Sequence, residues 1–91
     1  MTEKASPSAS VLAAHLDGES VLLEMKRKRY FRLNETGQAI WRALEAGLGR
    51  EAIAAQLVQA FEVDDATARA EVERFLAELS AAELLAPADS P

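Results

Sequence analysis

The sequence predicts an α+β domain in which a three-stranded antiparallel sheet precedes three helices. Three observations carry this. Up to Leu33 the apolar residues tend to alternate with polar ones, the period of a strand. After Asn34 they recur three and four residues apart, the period of a helix. Turn and cap residues fall at the joints between these segments.

Ser10 to Leu16 reads as the first strand and ends at Asp17-Gly18, a pair that tolerates tight hairpin turns. In Glu19 to Met25 alternation puts Val21, Leu23 and Met25 on one face and Ser20, Leu22 and Glu24 on the other. The second face reads as mainly polar, with Leu22 marking partial cover. Lys26-Arg27-Lys28 is the next turn, and Arg29–Leu33 the third strand, its aromatic residues suited to a pleated surface. Phe31 and Leu33 share one face, Tyr30 and Arg32 the other. A simple meander leaves this third strand at an edge.

Asn34 is a good N-cap for a helix Glu35–Ala46, whose stripe is Gly37, Ile40, Trp41 and Leu44. Glycine inside a helix costs about 1 kcal/mol against alanine, so Gly37 implies close approach to the sheet. The indole N–H of Trp41 needs a partner, which suggests partial exposure. Gly47 and Gly49 mark a stop and a new start. The second helix covers Arg50–Phe61, with Ile53, Leu57 and Ala60 or Phe61 inward. Glu62-Val63 reads as an extended joint. Asp64 caps a third helix, Asp65–Ala82, with Ala68, Val72, Phe75, Leu76 and Leu79 inward and Glu71, Arg74 and Glu78 outward. The order of elements is like a winged helix-turn-helix with the wing moved to the front. The expected boundaries are a flexible tail at 1–9, the domain at 10–85 and a second flexible tail at 86–91.

Composition narrows the function. The chain has 91 residues, no cysteine and a net charge of −5. Disulfides, thiolate metal sites and cysteine nucleophiles are excluded, and the lack of cysteine suits a reducing cytoplasm. No apolar run approaches the roughly 20 residues of a membrane span. His15 is the single histidine and lacks a companion with the context of a nucleophile, so a structural strand histidine is the favoured reading. Asp64-Asp65 has no further carboxylate at calcium-loop spacing, and no glycine-rich phosphate loop occurs. No metal, no cofactor and no catalytic residue is expected. Lys26–Arg29 with Arg32 hold five of the ten basic residues. They can protect an edge strand from self-pairing or guide an acidic peptide. The overall acidity sets nucleic acid behind both.

The segment Tyr30-Phe-Arg-Leu-Asn-Glu-Thr-Gly-Gln-Ala-Ile-Trp41 resembles the pyrroloquinoline quinone biosynthesis protein D (PqqD-like) family. Glu51-Ala52-Ile53-Ala54 and Val72–Leu79 extend the likeness, so that it covers residues 10–85. Glu83 departs from the glycine expected before Leu84-Leu85. The family includes recognition elements for ribosomally made, post-translationally modified peptides, and a free-standing chain of this size is most similar to the recognition protein of lasso-peptide pathways. The resemblance implies a non-catalytic adaptor. It would bind a precursor's leader by strand addition and present it to a cysteine-protease-like leader peptidase and a cyclase, without nucleic acid or membrane. By position, the ladder would come from Arg29, Tyr30, Phe31, Arg32 and Leu33, and the opposite wall from Arg69, Val72, Glu73, Phe75, Leu76 and Leu79. The alternatives are a peptide chaperone for a radical enzyme of cofactor biosynthesis, and a winged-helix nucleic-acid-binding regulator.

Overall fold

A computed structural model describes residues 6–86. Its elements are β1 (Val11–Leu16), β2 (Glu19–Glu24), β3 (Arg29–Leu33), α1 (Glu35–Glu45), α2 (Arg50–Phe61) and α3 (Asp65–Ala81). The sheet is antiparallel in the order β1-β2-β3, which among the described residues leaves both outer strands with a free edge. The three helices cover one face of it.

The caps work as the sequence suggests. The Asn34 side chain accepts the Gly37 N–H at 2.9 Å, and Asp64 accepts the Thr67 N–H at 2.7 Å. The second bond holds the Asp64 carboxyl below its usual pKa. Its stabilising share is therefore present at neutral pH and lost as the pH falls through that lowered value. Gly18 and Gly47 take the positive φ that their turns require. Glu62 is left-handed, with φ 56° and ψ 41°, so the joint before α3 is a helix C-cap rather than the extended dipeptide expected.

The face of β2 that reads as polar is the buried one. Ser20, Leu22 and Glu24 point to the helices, while Val21 and Leu23 are half-buried and Met25 is exposed. Polar atoms on the buried face are satisfied. The Glu24 carboxylate, 1% exposed, accepts the backbone N–H of Lys26 at 3.0 Å and of Arg27 at 3.1 Å. The guanidinium groups of Arg27 and Arg29 lie 3.9 and 3.8 Å from it. Glu24 thus ties the basic β2–β3 turn to the core.

The core gathers Leu22 and Leu33 from the sheet, Ile40, Trp41 and Leu44 from α1, Ile53 and Leu57 from α2, and Val72, Leu76 and Leu79 from α3. Trp41 is 1% exposed, not partly open as its N–H suggests, because Glu45 accepts that N–H at 2.9 Å within the same helix. Glu83 takes the left-handed conformation, φ 62°, that explains why glycine is expected there. The Arg27 guanidinium holds its carboxylate at 2.7 Å and keeps that carboxyl's pKa low. After this turn Leu84 enters the core. Leu85 forms a bridge with Pro7, flanked by Ser8 N–H to Leu84 O at 2.9 Å and Ala86 N–H to Ser6 O at 2.7 Å. Pairing therefore begins before the boundary expected at residue 10. The rest of both expected tails, 1–5 and 87–91, lies outside the described residues.

Candidate peptide-binding cleft

The free edge of β3 has a definite hydrogen-bonding register. On a central antiparallel strand, successive residues direct their backbone groups to opposite neighbours. Met25 donates its N–H to Ser10 O at 2.8 Å, so Met25, Leu23 and Val21 bond toward β1. Ser20, Leu22 and Glu24 then bond toward β3, to Leu33, Phe31 and Arg29. The backbone groups of Tyr30 and Arg32 are left pointing away from the sheet. Of the five strand residues expected to form a ladder, these two offer free N–H and C=O groups, and the other three hold the sheet together.

Beside this edge opens a cleft of about 580 Å³ between β3 with the start of α1 and the long helix α3. Arg32, Leu33 and Asn34 form one lip, and Glu71, Arg74 and Glu78 the other. Ile40, Leu57, Phe61, Val63, Ala68 and Phe75 make an apolar lining between them. Gly37 gives the cleft its depth. A Cβ there would meet the Phe75 ring at 3.2 Å and the Leu33 Cβ at 3.3 Å, so helix α1 approaches both walls where no side chain intervenes.

The wall residues expected on α3 divide. Phe75 is half-buried and lines the cleft. Val72, Leu76 and Leu79 are core residues, at most 3% exposed. Arg69 is exposed and paired with Asp65 at 2.8 Å, and Glu73 pairs with Arg50 of α2 at 3.0 Å, both outside the lining. The face of α3 toward the cleft is instead Thr67, Ala68, Glu71, Arg74, Phe75 and Glu78. Arg74 bridges Glu71 at 2.6 Å and Glu78 at 2.9 Å, and with two carboxylates to one guanidinium this lip keeps a net negative charge. The i, i+4, i+7, i+11 spacing of Thr67, Glu71, Arg74 and Glu78 reads in sequence as an ordinary solvent face.

The basic run is partly balanced. Arg27 pairs with Glu83, Arg29 stacks over Phe31 at 5.2 Å and donates to Ala82 O at 2.9 Å, and Arg32 pairs with Glu19 at 3.0 Å. Three of the five cations are thus engaged by this chain's own groups.

One arrangement the sequence hides lies behind β1 and β2. The His15 Nδ1 is 2.6 Å from the Ser20 hydroxyl, and its Nε2 is 3.2 Å from a Glu45 carboxylate oxygen. Serine, histidine and carboxylate are the groups of a hydrolase triad. Ser20, however, is fully buried and absent from the cleft lining, so its hydroxyl meets no substrate in this conformation. The chain Ser20–His15–Glu45–Trp41 instead clamps the sheet to α1. Ser20→Ala should cost about 1 kcal/mol in chemical denaturation and leave ligand affinity unchanged. A larger change in affinity than in stability would assign the hydroxyl a functional role.

Known proteins agree with this architecture. One solved structure, titled "TbiB1 in Complex with the TbiA(beta) Leader Peptide", is 34% identical, with 93% of this chain and 99% of that chain covered at a TM-score of 0.86. Another, "Lasso peptide synthetase B1 complexed with the leader peptide", is 23% identical and shares the fold at a TM-score of 0.84, with 92% and 99% covered. A comparison with curated protein sequences finds no match. The family model for coenzyme PQQ synthesis protein D matches residues 19–85, most of the chain, and the protein belongs to the PqqD family.

Proposed function

We propose that this protein is a non-catalytic, cytoplasmic adaptor of lasso-peptide biosynthesis. It binds the leader of a ribosomal precursor as a fourth strand on β3 and hands it to a leader peptidase and a cyclase. The observation that carries this reading is the conjunction, among the described residues, of an unpaired β3 edge with a cleft alongside it that has an apolar lining between charged lips. Support comes from the 34% identical structure, whose title names a bound leader peptide. Among the described residues no helix is long and apolar enough to cross a membrane.

The energetics assign separate roles to edge and cleft. Tyr30 and Arg32 offer up to four backbone hydrogen bonds, worth about 1 kcal/mol each, or about millimolar affinity. Two apolar leader side chains seated in the lining add about 1.5–3 kcal/mol apiece, which brings the total toward the micromolar range. The edge sets direction and register, and the cleft supplies most of the selectivity.

Titration of a fluorescent leader peptide into the protein tests this. Tyr30→Pro removes an outward N–H without breaking a bond of the sheet, so the variant should fold and bind at least tenfold more weakly. Ala13→Pro makes the same change on the free edge of β1 and should bind normally. Unchanged affinity in folded Tyr30→Pro would exclude strand addition at β3.

A further inference from the structure

Among the described residues, the four large apolar side chains that stand exposed lie on the sheet face turned away from the helices. Leu12 is 58% exposed, Leu16 55%, Met25 47% and Tyr30 72%. The register makes them one surface, because Leu12, Leu23 and Tyr30 form a row across the three strands. Arg32 and Glu19 on this face neutralise each other as an ion pair at 3.0 Å. Nothing in the cleft accounts for such a surface, since the cleft opens on the other side of β3.

The two ends of this face carry opposite charge. Asp17 stands at the β1–β2 end, with Glu35 packed near Gly18. Lys26 and Lys28 stand at the β2–β3 end, where Arg27 is already paired with Glu83. A surface that is apolar in the middle, acidic at one end and basic at the other is complementary to itself when one copy is turned end for end. Face-to-face sheet packing accepts that orientation, as it needs the strand axes only roughly aligned. Three strands about 4.8 Å apart and about 20 Å long, with their side chains, give roughly 400 Å² per copy. The total of roughly 800 Å² lies below the usual range for stable complexes, which fits a weak, concentration-dependent association.

We propose that the outer face of the sheet binds a second copy of this chain in an antiparallel, two-fold symmetric dimer. The dimer leaves the outward backbone of Tyr30 and Arg32 free, and it does not depend on the leader-binding reading. Sedimentation velocity on the full chain without peptide, from about 1 µM to about 500 µM, reads it directly. The wild-type protein should pass from monomer to dimer across this range. Leu12→Lys should weaken association at least tenfold, and Leu16→Lys should do the same. Both side chains are exposed, so the fold has little reason to change. Lys28→Glu should also weaken the dimer, and Lys28→Glu combined with Asp17→Lys should restore it, because each reversed end again meets its opposite. A monomer throughout the range overturns the proposal. So does a dimer indifferent to both leucine variants, or a double charge variant no better than the single one.

Discussion

Glu24→Ala is expected to lower the melting temperature by roughly 10–20 °C, the larger of the stability effects anticipated here. The carboxylate accepts two backbone N–H groups of the β2–β3 turn and faces two guanidinium groups while itself almost wholly buried. Alanine strands those donors at the edge of the core, a loss of about 3 kcal/mol where both hydrogen bonds and charge compensation disappear. A domain this small has little stability in reserve. Glu24→Gln keeps an acceptor oxygen and should fall between the two. Thermal melts by circular dichroism decide it, and an alanine variant within 3 °C of wild type would show the carboxylate to be dispensable. The consequence reaches the proposed binding edge, because the turn that Glu24 holds is the one that launches Arg29–Leu33.

Gly37→Leu is expected to weaken leader binding about a hundredfold while the fold persists. The new side chain starts where the Phe75 ring and Leu33 already lie 3.2 and 3.3 Å from a bare Cβ, and it has the open cleft to grow into. It occupies space that an apolar leader residue would fill. Removing a helical glycine returns about 1 kcal/mol, while crowding Phe75 and the buried Leu33 costs about 1–3 kcal/mol, so a net loss of up to about 2 kcal/mol is expected. Gly37→Ala grades the effect, because its single Cβ meets the same Phe75 ring and Leu33 Cβ but fills far less of the cleft. Fluorescence anisotropy with the labelled leader reads both variants. Full affinity in Gly37→Leu would place the peptide outside this cleft.

The element boundaries were legible in the sequence because the period changes sharply at Asn34 and because Asp17-Gly18, Asn34 and Asp64 each act locally. The buried face of β2 was not. Val21, Leu23 and Met25 are the more apolar set, yet Ser20 and Glu24 find their polar partners across the β1–β2 hairpin and in the next turn, which alternation cannot register. Trp41 misled for a related reason: its N–H finds Glu45 four residues on, a local bond that permits complete burial. The edge strand Arg29–Leu33 was found with its exact span, but its outward residues follow only from the hydrogen-bonding phase, set by Ser10 and Met25. On α3 the core stripe Ala68, Val72, Leu76 and Leu79 is legible in the sequence, whereas Phe75 turns to the cleft and the cleft-facing stripe carries no signal of its own. Glu71, Arg74 and Glu78 have the composition of a helix exposed to water, and only the position of β3 across the gap makes them a lip.

The bridge between Pro7 and Leu85 bears on how the domain can be wired into larger assemblies. Ser6 O and Ala86 N are 2.7 Å apart, so the described chain enters and leaves at one point, stapled beside the turn at Glu83. Such a domain behaves as a cassette: it can be spliced into a host loop, or joined into a ring by a short linker, with little strain on the rest. Reopening that ring between Gly47 and Gly49, where a Cβ would meet nothing at either glycine, should yield a permuted chain that still presents the β3 edge and its cleft.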